Sequence, residues 1–278
     1  MKLGVCYNVF EGVELLEYAI QQIKEHVDYI NVVYQEQSWF SHAMSKENLN
    51  ILKSIKQRKL IDKLILFDSF KPMKHYSANN IDRSKKYETR KRDIGLSDCR
   101  SENCTHFLCC DVDEFYKPEE FMRAKNYIIT NDIHTTAVDI IAYVNLPIFR
   151  LDHQKLKSKV PFICRIGPNS HHGVKFFCLC DPTRGISLNV KNQKSLIFPK
   201  NQILMHHMET IRKDVTLKYL ATSRRFLQRN RVNELVDSIK SVNPDNLIFD
   251  PKKVINNSRL LQKVTLCDNI FNIPYKSW

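Results

Sequence analysis

No apolar run in this 278-residue chain approaches the ~18 residues needed to cross a bilayer, which argues against a membrane-spanning segment. The opening "MKLGVCYNVF" has neither the hydrophobic length nor the small-residue cleavage site of a signal peptide. The nine cysteines lack pattern: an odd number without even spacing makes a poor disulfide framework. Cys109-Cys110 and the pair Cys178/Cys180 also lack the two-residue spacer with which two thiolates grip one zinc ion. These absences lead us to expect a cytoplasmic protein that is neither a disulfide scaffold nor a zinc module. Internal repeats and low-complexity segments are missing too. Acidic residues run short, 30 against 43 Lys and Arg, giving a formal net charge of +13. Such an imbalance implies anionic partners: nucleic acid, a membrane surface or a phosphorylated substrate.

What is present is a regular alternation in the first half. "LGVCYNV", "YINVVY", "KLILF" and "HFLCC" read as strands. Between them "GVELLEYAIQQIKEHV", "ENLNILKSIKQRK" and "YETRKRDIGLSDC" read as helices, the first with Val13, Leu16, Ile20 and Ile23 on one face. Strands alternating with helices imply a parallel sheet covered by helices, with ligands outside the carboxyl ends of the strands. Residues 134–206 change texture, to short β-rich runs ("TTAVDIIAYV", "VPFICRI", "VKFFCLC", "QILMHH") separated by "GPNSHHG" and "DPTRG". From Ile211 the pattern becomes helical and basic, with Ile211, Val215, Tyr219 and Phe226 on one side and Arg212, Lys213, Lys218, Arg224, Arg225 and Arg229 around the other. We therefore expect an α/β domain over 1–210 and a basic helical extension over 211–278.

The stretch "HFLCCDVDEFY" (106–116) ends an apolar run on Asp111, Asp113 and Glu114. Two aspartates one residue apart at a strand end can share a hard cation such as Mg²⁺ or Mn²⁺, which binds through carboxylates together with nucleotide phosphates. The competing reading makes them caps of the helix that starts near "KPEEF".

The block "ETRKRDIGLSDCRSENCTHFLCCDVDEFY" resembles the centre of GT-A-fold glycosyltransferases related to family two, where a basic pair, a Gly-Leu and a strand ending in D-x-D follow one another. "YNVFEGVELLEYAIQQIKEHVDYINVVYQEQS" and "ILMHHMETIRKD" are similar to the family's opening and to its later metal-completing segment. The resemblance implies a GT-A mixed sheet flanked by helices. It implies transfer of a sugar, with inversion, from a nucleotide-diphosphate sugar such as a UDP-linked one to an acceptor hydroxyl on a glycan or glycolipid. Mn²⁺ or Mg²⁺ would sit on Asp111, Asp113 and His207. The donor would meet Asn8, Gln35, Gln37, Lys91, Arg92, Asp111 and Arg212, with Glu11 an alternative to Asn8.

The chemistry stands without the family, since a departing diphosphate needs a Lewis acid and nearby cations. His206 and His207 point to opposite faces if they lie on a strand, so only one can ligate. An inverting reaction needs a base; Asp181, in the "DPTRG" turn, ranks ahead of Asp139 and Asp152. His171 and His172 are expected on a loop surface or against the acceptor. Arg224, Arg225 and Arg229 would give a peripheral contact with anionic membranes. A nucleic-acid-binding protein and a metal-dependent nucleotidyltransferase are the alternative readings. The first is disfavoured because the basic residues do not alternate with exposed aromatics.

Overall fold

The computed structural model describes residues 1–73, 77–152, 159–188, 192–221, 231–250 and 262–274. β1 (Leu3–Val9), β2 (Tyr29–Tyr34), β3 (Lys63–Leu66) and β4 (His106–Asp111) pair in parallel in the order β3-β2-β1-β4. The strands are joined by α1 (Leu16–Ile23), α2 (Lys46–Gln57) and α3 (Ala78–Ser101), as the alternation of runs predicts. Ser45 and Ser77 start α2 and α3 by accepting a hydrogen bond from the backbone N–H three residues on, which satisfies one of the unpaired donors of each first turn.

Both sheet faces are covered, and the side-chain alternation of the strands divides the core in two. Val5, Tyr7 and Val9 of β1 pack with Leu108 and Cys110 of β4 on the face that carries α1. Cys6, Val33, Phe107 and Cys109 pack with Leu96 and Cys99 of α3 on the other. Gly95 permits that second contact: a Cβ there would lie 2.1 Å from the Cys6 Sγ, so only a glycine lets α3 lie this close to β1.

Beyond β4 the sheet becomes mixed. β5 (Glu114–Phe115) and α4 (Pro118–Thr130) come next, followed by β6 (Thr135–Ala142), β7 (Phe149–Leu151), β8 (Val160–Arg165), β9 (Ser195–Ile197) and β10 (Leu204–His207). The large sheet runs β3-β2-β1-β4-β8-β6-β10-β5, with β9 also paired to β6. β8 is antiparallel to β4 and β6, β10 is parallel to β6, and β5 is antiparallel to β10. This is the mixed, helix-flanked sheet expected of a GT-A chain. One β-rich run behaves otherwise: "VKFFCLC" (174–180) forms no strand but crosses as irregular chain, leaving Phe177 and Leu179 exposed.

The C-terminal part is helical at first, with α5 (Val215–Ala221) and α6 (Val232–Lys240), and then adds β11 (Ile248–Phe249) and β12 (Gln262–Leu266). β12 pairs with β7 to give a second sheet, β11-β12-β7. Phe271 reaches the main core and packs on Phe115. The expected boundary near 210 is therefore bridged by strand pairing and core packing. Phe226 and the three arginines of the anticipated membrane contact, Arg224, Arg225 and Arg229, lie outside the described residues.

Candidate active site

The parallel strands leave β1 in two directions, toward β2 and β3 on one side and toward β4 on the other. Their carboxyl ends therefore open a crevice at the β1/β4 junction, the position where open α/β sheets bind ligands. Asn8 and Asp111 lie side by side there in register.

The acidic triplet surrounds this crevice, and each carboxylate meets cations brought from elsewhere in the chain. Asp111 lies 3.2 Å from Arg92 Nη1 and accepts from Arg184 Nη2 at 2.5 Å. Arg184 also holds Glu114, with Nη1 donating to Oε2 at 3.0 Å. Asp113, 1% exposed, pairs with Arg212 and with Lys218 Nζ at 3.2 Å, and Arg212 bridges on to Glu11. Gly12 gives Arg212 its room: at φ 73° it adopts a left-handed conformation, and a Cβ there would lie 2.9 Å from Arg212 Nη1.

Burial disfavours the charge on Asp113, yet Lys218, His207 and Arg212 outweigh it and hold the carboxyl well below the usual range. Asp111 is lowered in the same way, with Arg184 and then Arg92 overcoming burial. At Glu114 and Glu88 burial wins and the carboxyls shift upward. The helix-cap reading fails, because α4 begins at Pro118 and its N-cap, Lys117, makes no side-chain cap bond.

β10 ends on the two histidines, which alternate as a strand requires. His206 turns inward to Tyr143 Oη at 2.9 Å and to Phe271. His207 faces the site, with Nε2 3.7 Å from Asp113 Oδ1. That oxygen is buried and has no hydrogen-bond partner among the described residues. An oxygen and an imidazole nitrogen facing each other are donors that Mn²⁺ accepts. The expected ligand set is brought together only in part, however. Asp111 is engaged by arginines, and among the described residues no group of three or more His, Cys, Asp or Glu side chains is gathered to hold a metal ion.

The other expected donor contacts divide similarly. Lys91 and Arg92 do project to the sheet end. Lys91 Nζ donates to the Val9 carbonyl at 2.7 Å and to Gln35 Oε1 at 3.1 Å, and burial pushes its pKa down to about 7. Gln35 is thereby occupied and buried, its Nε2 on the Gln37 carbonyl at 2.8 Å, whereas Gln37 is exposed. Asn8 donates to Cys109 Sγ at 3.2 Å, and its Oδ1 has no partner among the described residues. Asp181 is exposed, and its Oδ1 accepts from the Thr183 N–H and hydroxyl, both at 2.8 Å. Asp139 pairs with Lys159 at 2.5 Å, and Asp152 accepts from Thr265 Oγ1 at 2.7 Å. His172 departs from the expected loop surface: it is buried, its Nδ1 3.0 Å from Asp93 Oδ1, while His171 stays exposed.

The residues missed from the sequence are Arg184, Lys218 and Glu88. Arg184 sits in the turn that offered Asp181, and Lys218 belongs to a face read as solvated. Glu88 lies one turn before Arg92 and accepts from it at 2.8 Å.

No protein-family model matches the sequence, and no curated protein matches it. Among solved structures, the chain is similar to S. aureus TarS 1-349 at 11% identity, over 84% of this chain and 69% of that one, with a TM-score of 0.44. The same fragment in complex with UDP-GlcNAc aligns at 15% identity over 52% of this chain and 36% of that one, with a TM-score of 0.36. Mannose-1-phosphate geranyltransferase from Thermus thermophilus aligns at 11% identity over 59% and 50%, with a TM-score of 0.30. The chain spans little more than a third of the UDP-GlcNAc-bound TarS fragment that it matches.

Proposed function

We propose that this chain transfers a sugar from a UDP-linked or other nucleotide-diphosphate donor to an acceptor hydroxyl on a glycan or glycolipid. The observation that carries the reading is the β1/β4 crevice, where Asn8 and Asp111 sit level beneath a ring of buried cations. A departing diphosphate accumulates negative charge, and preorganised cations in a water-poor site stabilise such charge strongly. Arg92, Arg184 and Lys218 surround the carboxylates that would orient them, and Lys91 lies at the end of β1.

Asp113 and His207 are the side chains that would hold Mn²⁺ or Mg²⁺, with Asp111 joining them if its arginines give way to the donor phosphates. When bound, the ion supplies Lewis-acid neutralisation of the diphosphate. For an inverting transfer the acceptor proton needs a carboxylate of raised affinity. Glu88 fits that role better than Asp181, because burial raises its pKa and it lies beside Asp111 electrostatically. The nine free cysteines suit a reducing, cytoplasmic setting.

A panel of nucleotide sugars with Mn²⁺ tests the proposal. Release of UDP, or of another nucleoside diphosphate, from one donor supports it. Release of pyrophosphate from a nucleoside triphosphate in the presence of a sugar phosphate would instead make the chain a nucleotidyltransferase.

A further inference from the structure

α3 ends in a turn that brings two side chains together. Asn103 adopts the left-handed conformation at φ 60°, and the chain folds back on the helix. The Asn103 N–H donates to the Arg100 carbonyl and the Cys104 N–H to the Cys99 carbonyl, both at 3.0 Å. This pair of bonds is a Schellman stop, in which the residues joined by the wider of the two bonds commonly pack against each other. Here both are cysteines, and Cys104 leads into β4.

The two sulfurs lie 2.7 and 2.9 Å from the point where a Cβ on Gly4 of β1 would stand, and the thiols hydrogen-bond to each other. Their settings differ. Cys99 is fully buried, and that hydrogen bond together with burial pushes its thiol far up. Cys104, 6% exposed, lies between exposed Asn103 and Thr105. The same hydrogen bond lowers its thiol, with Lys2 assisting against burial. One sulfur is thus the nucleophile near the surface, and the other is the proton-bearing partner held against it.

We propose that Cys99 and Cys104 are a redox-active dithiol, a modification site that low-molecular-weight disulfides convert to an intrachain bridge. The Cys104 thiolate attacks one sulfur of the small disulfide and expels the other as a thiolate. Cys99 then gives up its proton and attacks the Cys104 sulfur, releasing the second small thiolate. The protein loses two hydrogens with their electrons, and the small disulfide becomes two thiols. The bond fastens the end of α3, whose other half carries Lys91 and Arg92, to the strand that ends on Asp111. In a reducing compartment such a bond is transient and reads the redox state, whichever reaction the crevice performs.

The native protein is incubated with glutathione disulfide, its remaining thiols are capped with N-ethylmaleimide, and it is digested with trypsin. Arg100 lies between the two cysteines, so a bridge joins peptide 93–100 to peptide 101–123, and fragmentation tells Cys104 from Cys109 and Cys110. The linked pair, reversed by dithiothreitol, should exceed every other cysteine pair by about tenfold. In concentrated urea, where the turn is gone, that preference should vanish. Cys104→Ser, its melting temperature checked against the parent, should leave Cys99 reduced; if the variant does not fold, the parent's peptide map decides alone. A bridge from Cys99 to Cys6, which packs one helical turn away at Gly95, overturns the proposal. So does a glutathione adduct that persists on Cys104, or a native protein that stays reduced while the unfolded chain oxidises.

Discussion

Arg184 Nη2 reaches Asp111 Oδ2 at 2.5 Å across 73 residues of sequence, and the same guanidinium holds Glu114. One side chain from an irregular loop thus fixes two carboxylates at the end of a buried strand.

Arg184→Met should leave Glu114 buried and uncompensated. Removing one partner of a buried pair costs about 3 to 5 kcal/mol. Urea unfolding checks it, and E114L/R184M should regain most of the loss. A single variant within about 0.5 kcal/mol of the parent would mean the pair contributes nothing to the fold.

Asp113→Asn should abolish stabilisation by UDP with Mn²⁺. A ligand held at a hundredfold its Kd adds about 2.7 kcal/mol, a rise of roughly 5 to 10 °C in Tm for a chain of this size. Thermal unfolding of parent, D113N and H207A with UDP, with and without Mn²⁺, reads the effect. D111N should keep part of it, because Asp111 meets arginines first. A full shift in D113N would remove this carboxylate from the donor site.

Lys91 gives a pH dependence whose sign is opposite to that of a salt-bridged lysine. Its folded pKa, about 7, lies below the ~10.4 of an unfolded lysine, so between those values the unfolded chain binds the extra proton. Stability relative to Lys91→Met should therefore rise from pH 7 toward 10 and stay flat below 7. The change is of order a few kcal/mol at most. Urea titrations of both proteins at pH 6.5, 8 and 9.5 check it; parallel profiles would mean that the ammonium is solvated.

Gly95→Ala places a methyl 2.1 Å from the Cys6 Sγ and should cost about 1 to 3 kcal/mol through overpacking. Cys6→Gly in the same chain should return part of it. The check is again chemical unfolding, with hydrogen exchange along α3 as a local readout.

The first half of the fold was readable because its signals are local: the apolar run in "YINVVY" and the proline at the first turn of α4; the start of α3 was not, since the helix read from Tyr87 begins at Ala78. That only one of His206 and His207 can face the site was readable too, since neighbours on a strand must part; the choice of His207 rested on the family resemblance. What escaped is long-range. "VKFFCLC" has the composition of a strand, yet β8 and β9 occupy pairing positions along β6, and the run crosses outside the sheet. Lys218 scans as part of a solvated basic face, and Arg212 was expected at the donor, but each turns inward to Asp113, a distant partner in sequence that no local window contains.

Phe271 has a consequence for how the protein is made. It packs on Phe115 and His206, so the hydrophobic wall behind β5 and β10 is incomplete until residue 271 has left the ribosome. At translation rates of about 5 to 20 residues per second, the strand that bears Glu114 waits roughly 8 to 30 s for that partner. During this interval the nascent chain leaves the apolar face of Phe115 uncovered by Phe271, a surface for chaperones to guard. The wall behind β5 and β10 is thus completed well after β1, a wall of the crevice, has been synthesised.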